Sequence, residues 1–417
     1  MRILSGRAAA AMVERLASRG SDISSDLSKV EPRVRRIVSD VRRRGDRALR
    51  GYAQRWDGLK PNQPVLVSRS ELDSALRSIS PQLRTSLRQA AANIRRFCEW
   101  QRPSSWTRKR NGISLSQLIR PLESVGCYVP GGRYPLVSTL LMTAIPAQVA
   151  GVKNICVASP KPSLAVLAAA AMLNVGEVYR VGGAQAIAAF AYGTRTIPRV
   201  DKIVGPGNSY VTAAKKLVAF DCAIDFLAGP TEAVVLSENG VPEFIAADLV
   251  SQAEHDPEAL AIFITSSRKL ANSVAECLEK AIKNNLIAQQ SLRRRGGVLI
   301  APSRKLARDW ANRLAPEHIT ISKEDLPFIQ NAGSIFVGDF SAQAAGDYAS
   351  GPNHVLPTAG QAKFRGGLSV MDFVKVVTVQ ELSSDGLQNI SKTIESLAQV
   401  EGLQAHAQSI RVRCNHA

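Results

Sequence analysis

Past about residue 113 the chain alternates short apolar runs with alanine-rich stretches, and this alternation limits its possible folds more than any other feature. VGCYV (125–129), NICVA (154–158), KIVG (202–205), EAVVLS (232–237), LAIFITS (260–266) and GGVLIA (296–301) have the length and β-branched content of buried strands. Between them, LMTAIPAQVAG, AIAAFAYG, PEFIAADLVSQAEH and KLANSVAECLEKAIKN are long enough to be helices. Strands separated by helices pair in parallel as βαβ units, so an α/β fold with parallel-rich sheets is expected. Residues 1–110 read as mostly helical, with breaks at Gly20-Ser21, Gly45-Asp46 and the DGLKPNQP loop at 57–64. After about 369 come MDFVKVVTVQEL, a helix SKTIESLAQVEGLQAHAQSI and a brief basic tail. A chain of 417 residues exceeds what one compact core accommodates, so two or more domains are expected.

Repeated βαβ units raise the question of nucleotide binding. Neither GxGxxG nor GxxxxGK[ST] is present; GPGNSY (205–210) has Tyr210 where the third glycine would stand. Glycine-rich turns nonetheless follow predicted strands at YVPGGRYP, VGGAQA and VGPGN, where backbone can approach a ligand closely. One such turn merely ends a strand. Three of them within about 80 residues favour a dinucleotide or phosphate site.

The net charge of +18 is unevenly spread. Residues 1–110 hold 25 Lys and Arg against 10 Asp and Glu, whereas the remaining 307 residues are nearly balanced. The excess centres on VRRIVSDVRRRGDRALRGYAQRW, whose arginines interleave with apolar residues at helical spacing. That pattern reads as a solvated helix face, and with no nucleic-acid module beside it a nucleic-acid partner is not expected. Six scattered cysteines without a CxxC pair form neither a disulfide framework nor a zinc ribbon. No apolar run approaches the roughly 20 residues of a membrane span. At the start, Glu14 and Arg15 interrupt the one targeting-like stretch, so no membrane and a cytoplasmic location are expected.

Any metal must therefore be held by His, Gln, Asp or Glu, and four of the five histidines lie near acids or amides. In SQAEHDPEA, Gln252 and His255 are three apart, on one helical face. Pro257 disfavours helical geometry at Asp256, placing His255 in the last turn, where a helix dipole alone would also favour a histidine. LAPEHIT supplies adjacent Glu317 and His318, able to divide proton transfers between them. Asp347 and His354 fall in the loop-rich AAGDYASGPNHVLPTAG, and Glu401 and His406 near a helix end in EGLQAHAQS. His416, the penultimate residue, reads as solvated tail. An oxygen–nitrogen ligand set without cysteine suits zinc or another borderline divalent ion, and the absence of HExxH argues against a zincin protease.

GCYVPGG, VGGAQAIAAFAYGT, VDKIVGPGN, SQAEH, LAPEH, GDYASGPNHVLPT and EGLQAHAQSIRVR occur in order and at the spacing found in histidinol dehydrogenases, and the chain resembles that family over essentially its whole length. The resemblance implies oxidation of L-histidinol to L-histidine through the aldehyde, the last step of histidine biosynthesis, with two NAD and one Zn2+ per subunit. Gln252, His255, Asp347 and His406 match the family's zinc ligands. His318 matches the base for the alcohol proton, and Glu317 the residue that activates water for the second oxidation. Tyr128, Gln185 and Asn208 match NAD contacts. Thr231, His354 and Glu401, with the ligand residues and His318, match substrate contacts. The sequence departs from the family at Leu227 and Thr231, where proline and serine are more usual.

The implied architecture is a domain-swapped homodimer with shared active sites, built from two incomplete Rossmann-like domains and two small, mainly helical domains at the termini. The expected boundaries are a helical segment at 1–20, a larger α/β domain from 21–127 and 232–368, an NAD-contacting domain at 128–231, and a dimerisation segment at 369–417 donating Glu401 and His406. A same-fold dehydrogenase of another small alcohol, such as a sulfopropanediol, is the alternative. Glu401 and His406 within EGLQAHA favour histidinol over it. A metal-dependent hydrolase leaves the NAD turns unexplained, and a basic RNA-binding protein accounts for residues 1–110 alone.

Overall fold

The computed structural model of the protein describes residues 2–131 and 136–415 and divides most of the strands between two parallel sheets. The first sheet runs in the order Ile3–Ser5, Gly297–Ile300, Leu260–Thr265, Glu232–Leu236, His318–Ile321, Ser334–Val337. The second runs Glu177–Tyr179, Asn154–Ala158, Ser124–Tyr128, Lys202–Val204, Ala223–Ile224. All pairings in both are parallel. Apart from the edge strand Ile3–Ser5, the two sheets share one topology. The strand earliest in sequence lies in the middle, two successors extend to one side, and two more to the other. Chain connections diverge at that central strand, which opens a crevice at its carboxyl end.

The strands are continuously apolar because helices cover both faces. Glu232–Leu236 and Leu260–Thr265 are buried at every position. Alternate residues point to opposite sides. Val235, Phe263 and Val298 pack under the helices Pro242–Ala253, Arg268–Ala281 and Leu286–Arg294. Val234, Ile262 and Leu299 pack under Gly6–Ala17 and Arg304–Leu314.

Two expected boundaries move. Residues 1–20 do not form a separate helical piece: Ile3–Ser5 pairs with Gly297–Ile300, and Ala9, Met12, Val13 and Leu16 join the first sheet's core. Residues 21–101 pack mainly on the second sheet, with Val355, Leu368 and the Asn93 bond to Ala349 O as contacts to 232–368. Leu27, Val34, Ile37, Val38 and Val41 of the helix Arg19–Arg44 share a core with Ile187 and Val211. Leu72 of the helix Arg69–Ser78 and Ile94 of Pro81–Gln101 share another with Leu140 and Val166. A short antiparallel stitch joins them to the sheet edge, Val67 N–H donating to Val178 at 2.8 Å and Arg180 N–H to Val65 at 2.8 Å. Helices with one apolar stripe carry no information about which sheet that stripe covers; only packing assigns it.

The C-terminal part is also less helical than expected. Val374–Leu382 pairs antiparallel with Ile113–Pro121, itself paired with Trp106–Arg110, before the helices Ser384–Val400 and Gln404–Cys414. Val376, Val377, Val379, Leu397, Val400 and Leu403 of this unit are exposed. Among the described residues no helix is long and apolar enough to cross a membrane.

Candidate active site

Most of the candidate catalytic and metal-binding side chains gather at the amino edge of the first sheet, opposite the end where such sheets usually bind ligands. Thr231 precedes the strand Glu232–Leu236, and Glu317 precedes His318–Ile321; parallel pairing sets His318 beside Ala233. Helices that follow parallel strands return toward the strands' amino ends, so their carboxyl termini meet here too. Pro242–Ala253 brings Gln252, and Gln343–Tyr348 brings Asp347. His255 lies just past the helix, not in its last turn, its N–H reaching Gln252 O at 3.3 Å.

These residues share one cavity of about 200 Å³, lined by Thr231, Gln252, His255, Glu317, His318, Asp347 and His354. Its opposite wall comes from the second-sheet half of the chain, through Ser138, Thr139 and Pro206. Glu254 and Asp256 turn elsewhere, Glu254 accepting from Asn285 and Asp256 from Glu258 N–H.

The cavity is held by a continuous polar network. Glu317 Oε2 accepts from Thr231 Oγ1 at 2.7 Å and from Glu232 N–H at 3.0 Å. Gln252 Nε2 donates to Asp347 Oδ2 at 2.8 Å, and His318 Nε2 lies 3.4 Å from Asp347 Oδ1. Thr139 Oγ1 lies 3.5 Å from His354 Nε2. His318, 3% exposed, has its Nδ1 buried and without a hydrogen-bond partner, 3.7 Å from Glu317 Oε2. A buried orphan nitrogen is costly unless a ligand completes it. Burial pushes the Glu317 carboxyl up to about 7, against the pull of His318 and its two hydrogen bonds. Burial opposes charge on His318, but the Glu317 and Asp347 carboxylates outweigh it and raise its pKa. Burial also opposes charge on Asp347, yet His318 and the Gln252 amide hold it below the usual carboxylate range. His354 is pushed down to about 4 by desolvation in the cavity wall, so it is neutral at pH 7.

Gln252 is suited to metal binding by its bonding. Its Oε1 lies 3.1 Å from Thr231 Oγ1, but that hydroxyl has one proton and sits closer to Glu317. The amide oxygen is thus left with acceptor capacity beside His255 and Asp347, while its nitrogen is fixed on Asp347. An amide oxygen, an imidazole and a carboxylate fit a borderline divalent ion but make three ligands of four. Among the described residues no three His, Cys, Asp or Glu side chains cluster as a metal site. His406 and Glu401 are exposed on the C-terminal helical hairpin and do not line the cavity.

Tyr128, Gln185 and Asn208 come together at the carboxyl edge of the second sheet. Tyr128 ends its strand, and its hydroxyl accepts from Gly183 N–H at 3.1 Å. Gln185 lies in the first turn of the helix Gly183–Tyr192. Asn208 caps Ser209–Val218, accepting from the N–H groups of Tyr210 and Val211. At Gly205, φ is +109° and a Cβ would stand 2.2 Å from Tyr128 O, so only glycine lets these two strand ends meet. Asp225 secures that turn by accepting from Gly205 N–H at 2.8 Å, and Lys215 neutralises it. The turn at 128–135 lies partly outside the described residues, as does His416.

A model of the histidinol dehydrogenase family matches residues 21–414. The chain belongs to the histidinol dehydrogenase family. It is 47% identical over 402 residues to histidinol dehydrogenase of Methanothermobacter thermautotrophicus, covering 93% of this chain and 94% of the relative. The enzyme of Aquifex aeolicus is 43% identical, with 97% and 96% covered. The crystal structure of histidinol dehydrogenase from Elizabethkingia anophelis superposes with a TM-score of 0.89 at 36% identity, covering 93% of this chain and 92% of that one. The protein is thus an oxidoreductase of histidine biosynthesis.

Sequence reasoning missed the residues that support the site from behind. Arg19, 1% exposed, pairs through two nitrogens with Glu232, whose N–H holds Glu317. Asp57 and Asp225 each accept from a glycine-rich turn. Nothing in their local sequence distinguishes them from surface residues.

Proposed function

We propose that this oxidoreductase performs the four-electron conversion of L-histidinol to L-histidine through L-histidinaldehyde, reducing two NAD with one zinc ion per subunit. The reading is carried by one observation: Glu317, His318, Gln252, His255 and Asp347 line a single cavity whose far wall belongs to the dinucleotide-type half. Gln252, His255 and Asp347 would hold the zinc, with His406 of the partner subunit as fourth ligand. Bound there, zinc supplies a template and Lewis acid for the substrate's nitrogens.

His318 takes the hydroxyl proton as hydride leaves the carbinol carbon, and its orphan ring nitrogen fits an acceptor awaiting a substrate. Glu317, with a pKa near neutrality, removes a proton from the water that adds to the aldehyde, preparing the second hydride loss. Thr231 keeps the hydroxyl that holds Glu317, so the departure from the usual serine preserves this bond. Neutral His354 and Thr139 give the substrate a polar, uncharged wall. Glu401 of the partner subunit supplies a negative group for the cationic substrate.

A symmetric dimer is favoured by the three-ligand site, the remoteness of His406 and Glu401 from their own cavity, and the exposed Val376, Val377, Leu397 and Val400 of the unit that carries them. Six described cysteines without a disulfide suit a reducing, cytoplasmic setting. The test is NADH formation on adding L-histidinol to the zinc-loaded protein. Two NADH per histidinol are expected; one per histidinol would remove the aldehyde step, and none would remove the reading altogether.

A further inference from the structure

The two described glycine-rich turns of the second sheet are each secured by a buried carboxylate, but from different sources. Asp225, which holds Gly205, lies one residue past the short edge strand Ala223–Ile224 of that sheet. Asp57, which holds the VGGAQ turn, comes from the N-terminal section, far away in sequence. It ends a π-helical turn, Ala53–Asp57, a rare geometry that re-aims a side chain relative to an ordinary helix. Its Oδ2 accepts from Gly182 N–H at 2.9 Å and from Gln185 Nε2 at 3.0 Å. The neighbouring Gly183 N–H is tied to Tyr128 OH. Gly183 itself has φ +59°, and a Cβ there would stand 2.9 Å from Gln185 Oε1, so turn and amide are closely fitted.

We propose that Asp57 is the positioning residue of the dinucleotide site, fixing the Gly182–Gly183 backbone and the Gln185 amide in the geometry that receives the cofactor. This rests on the reading that Tyr128, Gln185 and Asn208 contact NAD. Asp57 is 8% exposed, and burial raises its pKa despite the two hydrogen bonds and the nearby Lys161. Such a group is not placed for surface solubility. Because both bonds fall on one oxygen, a single carbonyl at this position suffices; the second oxygen and the charge are dispensable. The inference also assigns a role to the N-terminal section that its arginine content does not disclose. The section carries the clamp of a turn that belongs to the second sheet.

The test compares Asp57→Asn, Asp57→Glu and Asp57→Ala with Gln185→Ala in the zinc-loaded dimer. Two quantities are read: steady-state KM and kcat, and the Kd for NADH from fluorescence titration without histidinol. Asp57→Ala, which loses both hydrogen bonds, should raise KM for NAD and Kd for NADH about tenfold, the scale of two ordinary hydrogen bonds at their net strength, while KM for histidinol and kcat at saturating NAD stay within about twofold. Asp57→Glu, which keeps the charge but shifts the acceptor by one methylene, should show the same selective weakening. Asp57→Asn should behave as the unaltered protein. If the Ala variant does not fold, the Glu and Asn pair decides alone. Loss in Asp57→Asn equal to that in Asp57→Glu, or a fall in kcat with NADH affinity unchanged, would overturn the proposal. Weak NADH binding in Gln185→Ala with all Asp57 variants normal would overturn it and leave the NAD reading standing. Normal binding in all four would overturn both.

Discussion

Replacing Arg19 with methionine tests how the edge of the first sheet that carries the candidate site is held together. Arg19 is 1% exposed and Glu232 3%; the guanidinium meets both carboxylate oxygens and also donates to Leu16 O at 2.8 Å. With methionine in its place, the Glu232 carboxylate keeps the Ala359 N–H, at 2.8 Å, and no countercharge. Removing one partner of a buried ion pair costs about 3–5 kcal/mol, because the other charge stays desolvated. At roughly 2–4 °C per kcal/mol for a unit of this size, the melting transition should fall by about 6–20 °C. Calorimetry gives the shift. Hydrogen exchange should localise it to Glu232–Leu236 and His318–Ile321, the strands that flank the pair. The double variant Arg19→Met, Glu232→Gln removes the orphaned charge and keeps an acceptor for Ala359, so it should recover more than half of the loss. A cost below about 1 kcal/mol for Arg19→Met, or a double variant no more stable than the single, would refute the reasoning, since an uncompensated buried charge cannot be that cheap.

Three further outcomes are expected. His318→Asn should nearly abolish histidinol oxidation while bound zinc, read by atomic absorption, stays at the level of the unaltered protein; loss of metal instead would make His318 a ligand. Glu317→Gln should slow oxidation of supplied L-histidinaldehyde more than the alcohol step, and equal losses in stopped-flow would remove its role toward water. Co-expressed Asp347→Ala and His406→Ala subunits, each inactive as a homodimer, should together regain about a quarter of full activity. Random pairing makes half the dimers mixed, each with one intact site if ligands cross the interface. No recovery would mean that each chain completes its own site.

Much of the site was legible because its chemistry demands residue types rare elsewhere. Five histidines in 417 residues make each of them conspicuous, and LAPEH and GDYASGPNH set acids beside them within short stretches. Asp57, Arg19 and Asp225 were not legible, because a carboxylate or guanidinium acquires its role by being buried against one particular partner, and burial has no local signature. Arg19 is one basic residue in a strongly basic section, and its partner Glu232 is 213 positions away.

The sequence by itself determined the class of fold. Continuously apolar strands separated by helices can satisfy their backbones and bury both faces only as parallel sheets, and the glycine-rich turns mark where backbone can pass closely, as at Gly205, whose φ of +109° and contact with Tyr128 O admit no side chain. It also singled out Thr231, Gln252, His255, Glu317, His318, Asp347 and His354, which the fold brings to one cavity. The tertiary structure alone decided that residues 21–101 cover the second sheet and that the N-terminal strand completes the first. It alone set the candidate site at the amino ends of the strands, against the usual preference for the carboxyl ends. The reason is common to all three: an apolar stripe or an edge strand records that it must be covered, while which surface covers it depends on the shape and free energy of the whole packed chain.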